Sequence, residues 1–428
     1  RNVPDMDRIN DFIKARNPKK AIVVGAGYIG LEMAENLHAR GLEVEIVEML
    51  DQVMPTLDKE MAYFLQKHLK EKGAIVRLND GVSSFRQTDS SLAVKLNSGT
   101  ELDCDFVIIS AGVRPETKLA KEAGLELGSQ SGVKVNEYLR TSDPDIYAIG
   151  DAVEVQDFVL GESVLIPLAG PANKQGRMVA DNICGRGRKY NGTQGTGILK
   201  VFDLTAAMTG VTEKALIKRN IDYEKLYLHQ ANHAGYYPGA TQMHIKLLFS
   251  KPEGKILGAQ IVGVDGVDKR IDVFAVAIRA GMTVFDLQEL ELAYAPPYGS
   301  GKDPVNMAGF VAANILDGTV KVGHFNELEE GDFILDVRTP REFEAGGVPN
   351  AKNIYVDTLR KRLNELPRDK TIHSYCAVGV RSYIACRILE QNGFDATNLS
   401  GGYITYQAVA NTGQLKQFIN REVTQIHK

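Results

Sequence analysis

A chain of 428 residues is longer than one ordinary domain and implies roughly two to four cores of about 100–200 residues each. With 44% hydrophobic residues, 24% charged residues and a formal net charge of -4, it has no basic field for a phosphate backbone, which excludes nucleic acid as a partner. No apolar run approaches the roughly 20 residues that cross a bilayer, and "RNVPDMDRINDF" lacks a signal-peptide pattern, so the expectation is a cytoplasmic protein with no membrane partner.

In chain order, "KKAIVVGAGYIGLEMAENLHARGLEVEIVEML" predicts strand, glycine turn, helix and strand. Gly25, Gly27 and Gly30 stand at G-x-G-x-x-G spacing. Gly25 permits the tight turn, Gly27 lets a pyrophosphate approach the backbone, and Gly30 lets the helix pack close to the strand. The helix N-terminus adds partly positive N–H groups. Glu48 ends the second strand, where its carboxylate accepts from a ribose hydroxyl and repels a 2'-phosphate, which favours NAD(H) over NADP(H). Glu32 either faces the cofactor or caps the first helical turn.

Downstream, "AYFLQKHLKEKGAIVRLND" predicts a helix and a strand. "SSLAVKLNSGTELDCDFVIISAGVRPET" predicts two strands around a turn and then a buried strand, Phe106 to Ile109. Gly112 can lie against a ligand or simply turn the chain. "RTSDPDIYAIGDAVE" predicts a short strand ending at Gly150 and Asp151, whose carboxylate can accept from a sugar-like hydroxyl or cap a helix. From about Gly195 to Val320 the chain turns β-rich, with "HIKLLF", "KILGAQIVG" and the helical "KRIDVFAVAIRAGM".

"TSDPDIYAIGDA" and "PLAGPANKQGRMVADNI" resemble the second flavin motif and the following helix of the pyridine nucleotide-disulfide oxidoreductases. That resemblance implies that Asp151 holds the FAD ribityl chain, that Glu32 points toward the cofactor, and that the β-rich region is a dimerisation domain of a homodimer. Members of that family carry an earlier FAD fingerprint and a redox cysteine. Neither is in these residues, and the expectation is part of a longer reductase. "LELAYAPPYGSGKDPVNMAGFVAAN" has Tyr294 and Tyr298 flanking two prolines where glutathione-type reductases have a histidine. It resembles the single-cysteine coenzyme A-disulfide reductases, which implies Tyr294 and Tyr236, with Tyr237 as alternative, as proton donors and ligand contacts. A phenol can donate to a developing thiolate, and the same phenols could pack at an interface.

The four cysteines, Cys104, Cys184, Cys376 and Cys386, are too few for a disulfide framework and lack metal-ligand spacing, so no metal is expected. Cys104, Cys184 and Cys386 read as inert, packed thiols. Cys376 differs. In "HSYCAVGVRS" the loop from Cys376 to Arg381 opens into a helix, so its backbone N–H groups and the helix start stabilise a thiolate or persulfide anion. Arg381 adds a fixed charge, and Gly379 allows the torsions of a tight cradle. The region from about Lys321 resembles a rhodanese domain: "DVRTPREFEAGGVPNAKNI" matches its first signature except that Gly346 and Gly347 replace a Gly-His pair, and "LSGGYITYQ" resembles its closing strand and turn. Asp336, Arg338 and Glu342 read as mainly architectural. The loop has four residues between cysteine and arginine where phosphatase-like loops have five, a size suited to sulfane sulfur.

The expected class is α/β: a Rossmann-type NAD(H)-binding domain (1–145), the C-terminal part of an FAD-binding domain (146–194), an α+β dimerisation domain (195–320) and a C-terminal α/β rhodanese domain (321–428). The resemblance implies FAD, NADH and coenzyme A as cofactors. The implied reaction is reduction of CoA disulfide, CoA persulfide or polysulfide, coupled to sulfur transfer at Cys376. Two alternatives stand beside it: a flavin NADH oxidase or peroxidase with a sulfur-sensing tail, and a non-catalytic binding module.

Overall fold

The structure, a computed structural model, describes residues 2–89 and 91–416. The last residues of the expected rhodanese region, 417–428, lie outside the described residues. Helix α1 (Val3–Arg16) precedes β1 (Lys20–Val24), α2 (Tyr28–Ala39), β2 (Glu43–Val47), α3 (Lys59–Glu71) and β3 (Ile75–Arg77). An antiparallel insertion of β4 (Val82–Gln87), β5 (Leu92–Leu96) and β6 (Glu101–Cys104) follows, and the chain returns as β7 (Phe106–Ile109). The parallel sheet runs β3-β2-β1-β7. Ala21, Ile22 and Val23 are fully buried because the central strand β1 is covered on both faces. Helix α2 buries Gly30, Leu31, Ala34 and Leu37, a helical stripe laid on that sheet. The expected buried strand Phe106–Ile109 is instead an edge: it pairs only with β1 among the described residues, and Ile109 is 66% exposed.

Helix α4 (Lys118–Glu122) leads to β8 (Val133–Lys134), β9 (Val153–Gln156) and β10 (Ser163–Val164), a small sheet in the order β10-β9-β8, and then to α5 (Ala169–Ile183). The strand expected to end at Gly150 is not formed. Ile146 to Ile149 have only one isolated bridge, at Tyr147, and Gly150, at φ +76°, starts a 3-10 turn after which β9 begins.

The next unit is a five-stranded antiparallel sheet of order β11-β12-β15-β14-β13, made of β11 (Gly197–Val201), β12 (Leu204–Gly210), β13 (Tyr223–Ala231), β14 (Gln242–Ser250) and β15 (Ile256–Gly263). Helix α6 (Glu213–Lys218) lies between β12 and β13, and α7 (Val267–Arg279), α8 (Val284–Glu289) and α9 (Pro304–Leu316) follow. The two-residue period of β14 divides its side chains. Met243, Ile245 and Leu247 pack with Phe274 and Ala308 in one core, whereas His244 and Lys246 meet Phe64 and Glu60 of α3.

The final unit is a parallel sheet, β16-β20-β19-β17-β18, from β16 (Val322–Gly323), β17 (Phe333–Asp336), β18 (Lys352–Asn353), β19 (Ile372–Tyr375) and β20 (Ala396–Leu399). Its helices are α10 (Pro340–Glu344), α11 (Val380–Gln391) and α12 (Gly402–Asn411). "GYITYQ", read as a closing strand and turn, is the start of α12: Gly401 and Gly402, at φ +70° and +60°, reverse the chain after β20 and set the helix going. The expected α/β class, with an α+β sheet between two parallel-sheet units, is the class found.

Candidate functional site

The glycine turn joins β1 to α2. Gly25, at φ +100°, donates its N–H to the Val47 carbonyl (2.8 Å), and a Cβ there would lie 2.5 Å from the Ser110 oxygen. At Gly30 a Cβ would lie 1.9 Å from the Gly25 oxygen. Gly27 has nothing within 4 Å of where a Cβ would stand, so the space beside it is free for a ligand. Glu48 is buried, and its two oxygens accept the N–H of Ala26 (2.7 Å) and of Leu50 (2.9 Å). It braces the turn, and a ribose hydroxyl would share an oxygen already bonded to backbone. Gly112, at φ +89°, lies with Ile109 and Val113 on the lip of a roughly 710 Å³ cavity closed by α1 and α2. Glu32 lines a separate cavity with Asp265 and Asp268.

Asp151 is exposed on the turn beside α5 and makes no hydrogen bond or ion pair among the described residues. Gly150 is fixed by its N–H to Gln175 Oε1 (2.7 Å), and α5 starts at Leu168 without a side-chain cap. A free acceptor and uncapped helix N–H groups fit a flavin's ribityl chain and ring edge.

Tyr236 and Tyr294 come together from loops 58 residues apart, with their hydroxyl oxygens 3.2 Å from each other and both rings exposed. The hydrogen bond to Tyr294 raises the Tyr236 phenol above its ordinary value. Tyr237 and Tyr298 are also exposed but stand outside this hydrogen bond. Arg270 holds the two loops in register. Buried at 2% exposure, it pairs with Asp303 (2.8 Å) and donates to the carbonyls of Asn232 (2.8 Å) and Tyr298 (3.4 Å). Sequence reasoning missed Arg270 and Asp303, since a helix-start "DKRID" carries no signal of a loop clamp.

Cys376 follows β19 and is 1% exposed, and its Sγ accepts the Gly379 N–H at 3.1 Å. Gly379 sits at φ +103°, a torsion that disfavours any side chain. Ser382 Oγ stands 3.6 Å from Sγ, but its one proton has Asn398 Oδ1 at 2.6 Å. Arg381 pairs with Glu342 of α10 through two bonds, Nη1 to Oε2 at 2.7 Å and Nη2 to Oε1 at 2.6 Å. Glu342 is therefore held near Arg381 as well as capping Thr339, and it was not singled out for the site. Asp336 and Arg338 pair with each other at 2.6 Å, with the guanidinium stacked over Tyr403. Gly346 and Gly347 have a physical cause: side chains there would press Tyr403 Oη (2.8 Å) and the Phe343 ring (2.8 Å).

Burial raises the Cys104 thiol to about 11 and raises Cys386 further, consistent with inert roles. Cys184, expected to be packed, is exposed just past the end of α5. Its position at the helix cap turns it away from the buried face carried by Gln175, Val179 and Asn182.

The Cys376 loop is tied to β13. The Cys376 and Ala377 carbonyls accept the first N–H groups of α12, from Tyr403 (2.7 Å) and Ile404 (3.2 Å). Helix α12 is held in turn by Ser400 Oγ, which accepts the Tyr227 N–H (2.9 Å), and by Thr405 Oγ1 on His229 Nε2 (2.8 Å). Beside this seam, Asp58, Glu60 and Glu213 converge on the ammonium of the fully buried Lys246, at 2.9, 2.5 and 2.5 Å. That ammonium sits where a bound cation would sit between the three carboxylates.

Residues 1–176 match the family described as pyridine nucleotide-disulphide oxidoreductase, residues 197–302 its dimerisation domain, and residues 325–408 the rhodanese-like domain. A coenzyme A disulfide reductase of Staphylococcus haemolyticus is 37% identical over 74% of this chain and 70% of its own length. An NADH oxidase of Methanocaldococcus jannaschii is 38% identical over 72% of this chain and 68% of its own. Among solved structures, reduced Bacillus anthracis CoADR-RHD superposes with a TM-score of 0.94 at 50% identity, covering 96% of this chain and 74% of that one. An NAD-dependent persulfide reductase from A. fulgidus gives 0.87 at 40%, covering 95% and 75%. A glycine turn braced by an acid, a clamped tyrosine pair and a cysteine loop, in this domain order, place the chain in the pyridine nucleotide-disulphide oxidoreductase family, as a reductase joined to a rhodanese-like domain.

Proposed function

We propose that this enzyme spends NADH to reduce a sulfur–sulfur bond of coenzyme A disulfide, coenzyme A persulfide or polysulfide, and that Cys376 carries sulfane sulfur to that reaction. For the persulfide the balance is NADH + H⁺ + CoA–S–SH → NAD⁺ + CoA–SH + H₂S. Gly25, Gly27, Gly30 and Glu48 would hold NADH, and Asp151, Gly112 and the start of α5 would hold part of FAD. FAD, when bound, supplies two-electron transfer between the nicotinamide and sulfur. Tyr236 and Tyr294 would donate hydrogen bonds to the departing thiolate, a role open to a phenol held at fixed geometry. The antiparallel sheet unit would form a homodimer.

The observation that carries this reading is that β13 runs from the contacts of the Cys376 loop, at Tyr227 and His229, directly toward the loop of Tyr236. A sulfur-accepting cysteine and a thiol-protonating pair on one rigid strand belong to one reaction sequence. Among the described residues no helix is long and apolar enough to cross a membrane.

The test is NADH oxidation by the complete protein with each of the three sulfur substrates. Turnover of at least one supports the proposal. Indifference to all three, with NADH-dependent consumption of oxygen or peroxide, replaces it with the oxidase reading that the similarity to an NADH oxidase favours. In the same protein Cys376→Ser should lose sulfur transfer while still binding NADH, and unchanged transfer removes Cys376 from the mechanism.

A further inference from the structure

The Cys376 cradle is built to hold negative charge, yet its one fixed cation is cancelled. Both outer nitrogens of Arg381 are committed to the two oxygens of Glu342 (2.7 and 2.6 Å). Glu342 is itself immobilised, because its Oε2 accepts the Thr339 N–H (3.1 Å) and hydroxyl (2.8 Å) in the capping box of α10. Arg381 holds the Glu342 carboxyl down at about 2, so the pair stays ionised across the physiological range. The remaining positive elements are the Gly379 N–H on Sγ and the start of α11, the latter about half an elementary charge. That suffices for one anion and not for several.

We propose that Glu342 determines the sulfur donor of this domain: by cancelling the Arg381 charge it leaves a cradle that takes sulfur from alkyl persulfides and rejects dianionic thiosulfate. This rests on the reading of Cys376 as the sulfur acceptor. With a persulfide, the Cys376 thiolate attacks the outer sulfur of R–S–SH. The Cys376 S–S bond forms as the bond from that sulfur to the R–S sulfur breaks, and RS⁻ leaves with the electron pair, so one negative charge enters and one departs. With thiosulfate, the thiolate meets a dianion, and the products are a persulfide anion and sulfite. Three negative charges then share a loop whose side chains contribute none of the opposite sign. Glu342 is thus a specificity determinant acting through Arg381.

The experiment measures thiocyanate formed from cyanide by the complete protein, with cysteine persulfide and with thiosulfate as donors. The wild type should favour cysteine persulfide in kcat/KM by at least about tenfold, a difference of about 1.4 kcal/mol. Glu342→Gln, whose amide oxygen preserves the Thr339 cap, should raise kcat/KM for thiosulfate about tenfold or more and change that for cysteine persulfide less than about threefold. Glu342→Asp, which keeps the charge, should retain the wild-type preference, and adding Arg381→Gln to Glu342→Gln should abolish the gain. Wild type using both donors equally overturns the inference without any variant. So does Glu342→Gln moving both donors by one factor, the mark of a merely structural role. Wild type transferring from neither donor refutes sulfur transfer at Cys376 itself, which separates the two failures.

Discussion

Replacing Lys246 by methionine should invert the pH dependence of stability. Lys246 is fully buried among Asp58, Glu60 and Glu213, and Lys225 is the only other ammonium that pairs with these carboxylates, at Glu213 Oε1 (2.7 Å). Burial by itself would raise the Glu60 carboxyl, and the Lys246 charge more than reverses that, holding it at about 2 against an ordinary 4.5. At about 1.4 kcal/mol per pH unit, that depression contributes about 3 kcal/mol at neutral pH. Leaving buried carboxylates without their cation costs about 3–5 kcal/mol, the same order. The folded value of Glu60 lies below its unfolded one, so in the wild type this stability is fully present above about pH 4.5 and lost as the pH falls through about 2. In Lys246→Met, burial is unopposed and the carboxyls rise above their unfolded values. Their stability is then greatest in acid and lost as the pH rises. Thermal unfolding followed by circular dichroism should show the variant lower by about 5–10 °C at pH 7.5, with the gap closing toward pH 4. A gap under about 2 °C at pH 7.5, or one independent of pH, would refute the reasoning.

The glycine turn makes a paired prediction. Gly30→Ala forces a Cβ 1.9 Å from the Gly25 oxygen and should lower both stability and NADH affinity, whereas Gly27→Ala meets no atom within 4 Å and should leave the melting temperature in place while weakening NADH binding about tenfold or more. A fluorescence titration of NADH against both variants separates the cases, and normal binding by Gly27→Ala would remove that open face from the cofactor site. Tyr294→Phe should lower kcat for the sulfur substrate about 10- to 100-fold with NADH binding unchanged, and should return the Tyr236 phenol toward its ordinary value by removing the bond that raises it. Rates within twofold of wild type would make the pair a packing feature.

Local chemistry was legible in the sequence where residues near in the chain carry it. The glycine spacing after an apolar run, and Gly379 and Arg381 at fixed offsets from Cys376, each describe one turn and one helix start. What was not legible depends on partners far along the chain. Glu60 and Lys246 are 186 residues apart, and Arg381 and Glu342 are 39. Thr339 and Glu342 read as a helix cap, and nothing in that pattern says the same carboxylate also holds an arginine. Two strand expectations failed for a related reason. Ile146–Ile149 is apolar enough for a strand but has no neighbour to pair with beyond one bridge, and "GYITYQ" alternates like a strand but follows two glycines whose torsions redirect it. Pairing is a property of the sheet and not of the segment.

The seam between the Cys376 loop and β13 bears on how sulfur could move. Space at the seam is taken up: a Cβ on Gly401 would lie 2.7 Å from Tyr227 Cβ, and one on Gly402 would lie 2.4 Å from the Cys376 oxygen. The His229 ring that bonds Thr405 is fully buried, and burial, then His244, keeps it well below its ordinary value. It is therefore neutral at physiological pH, and acidification within that range does not open the latch. At the other end of β13, Arg270 clamps the Tyr236 and Tyr294 loops to each other. Each end is held by buried polar groups that would each cost about 1–3 kcal/mol to expose unpaired, so a swinging motion of the Cys376 loop toward the tyrosines would break several at once. The two sites stay at a fixed separation on one strand. Sulfur that is to pass between them must then travel on a carrier of its own, and a long, flexible thiol such as coenzyme A meets that requirement where a moving domain does not.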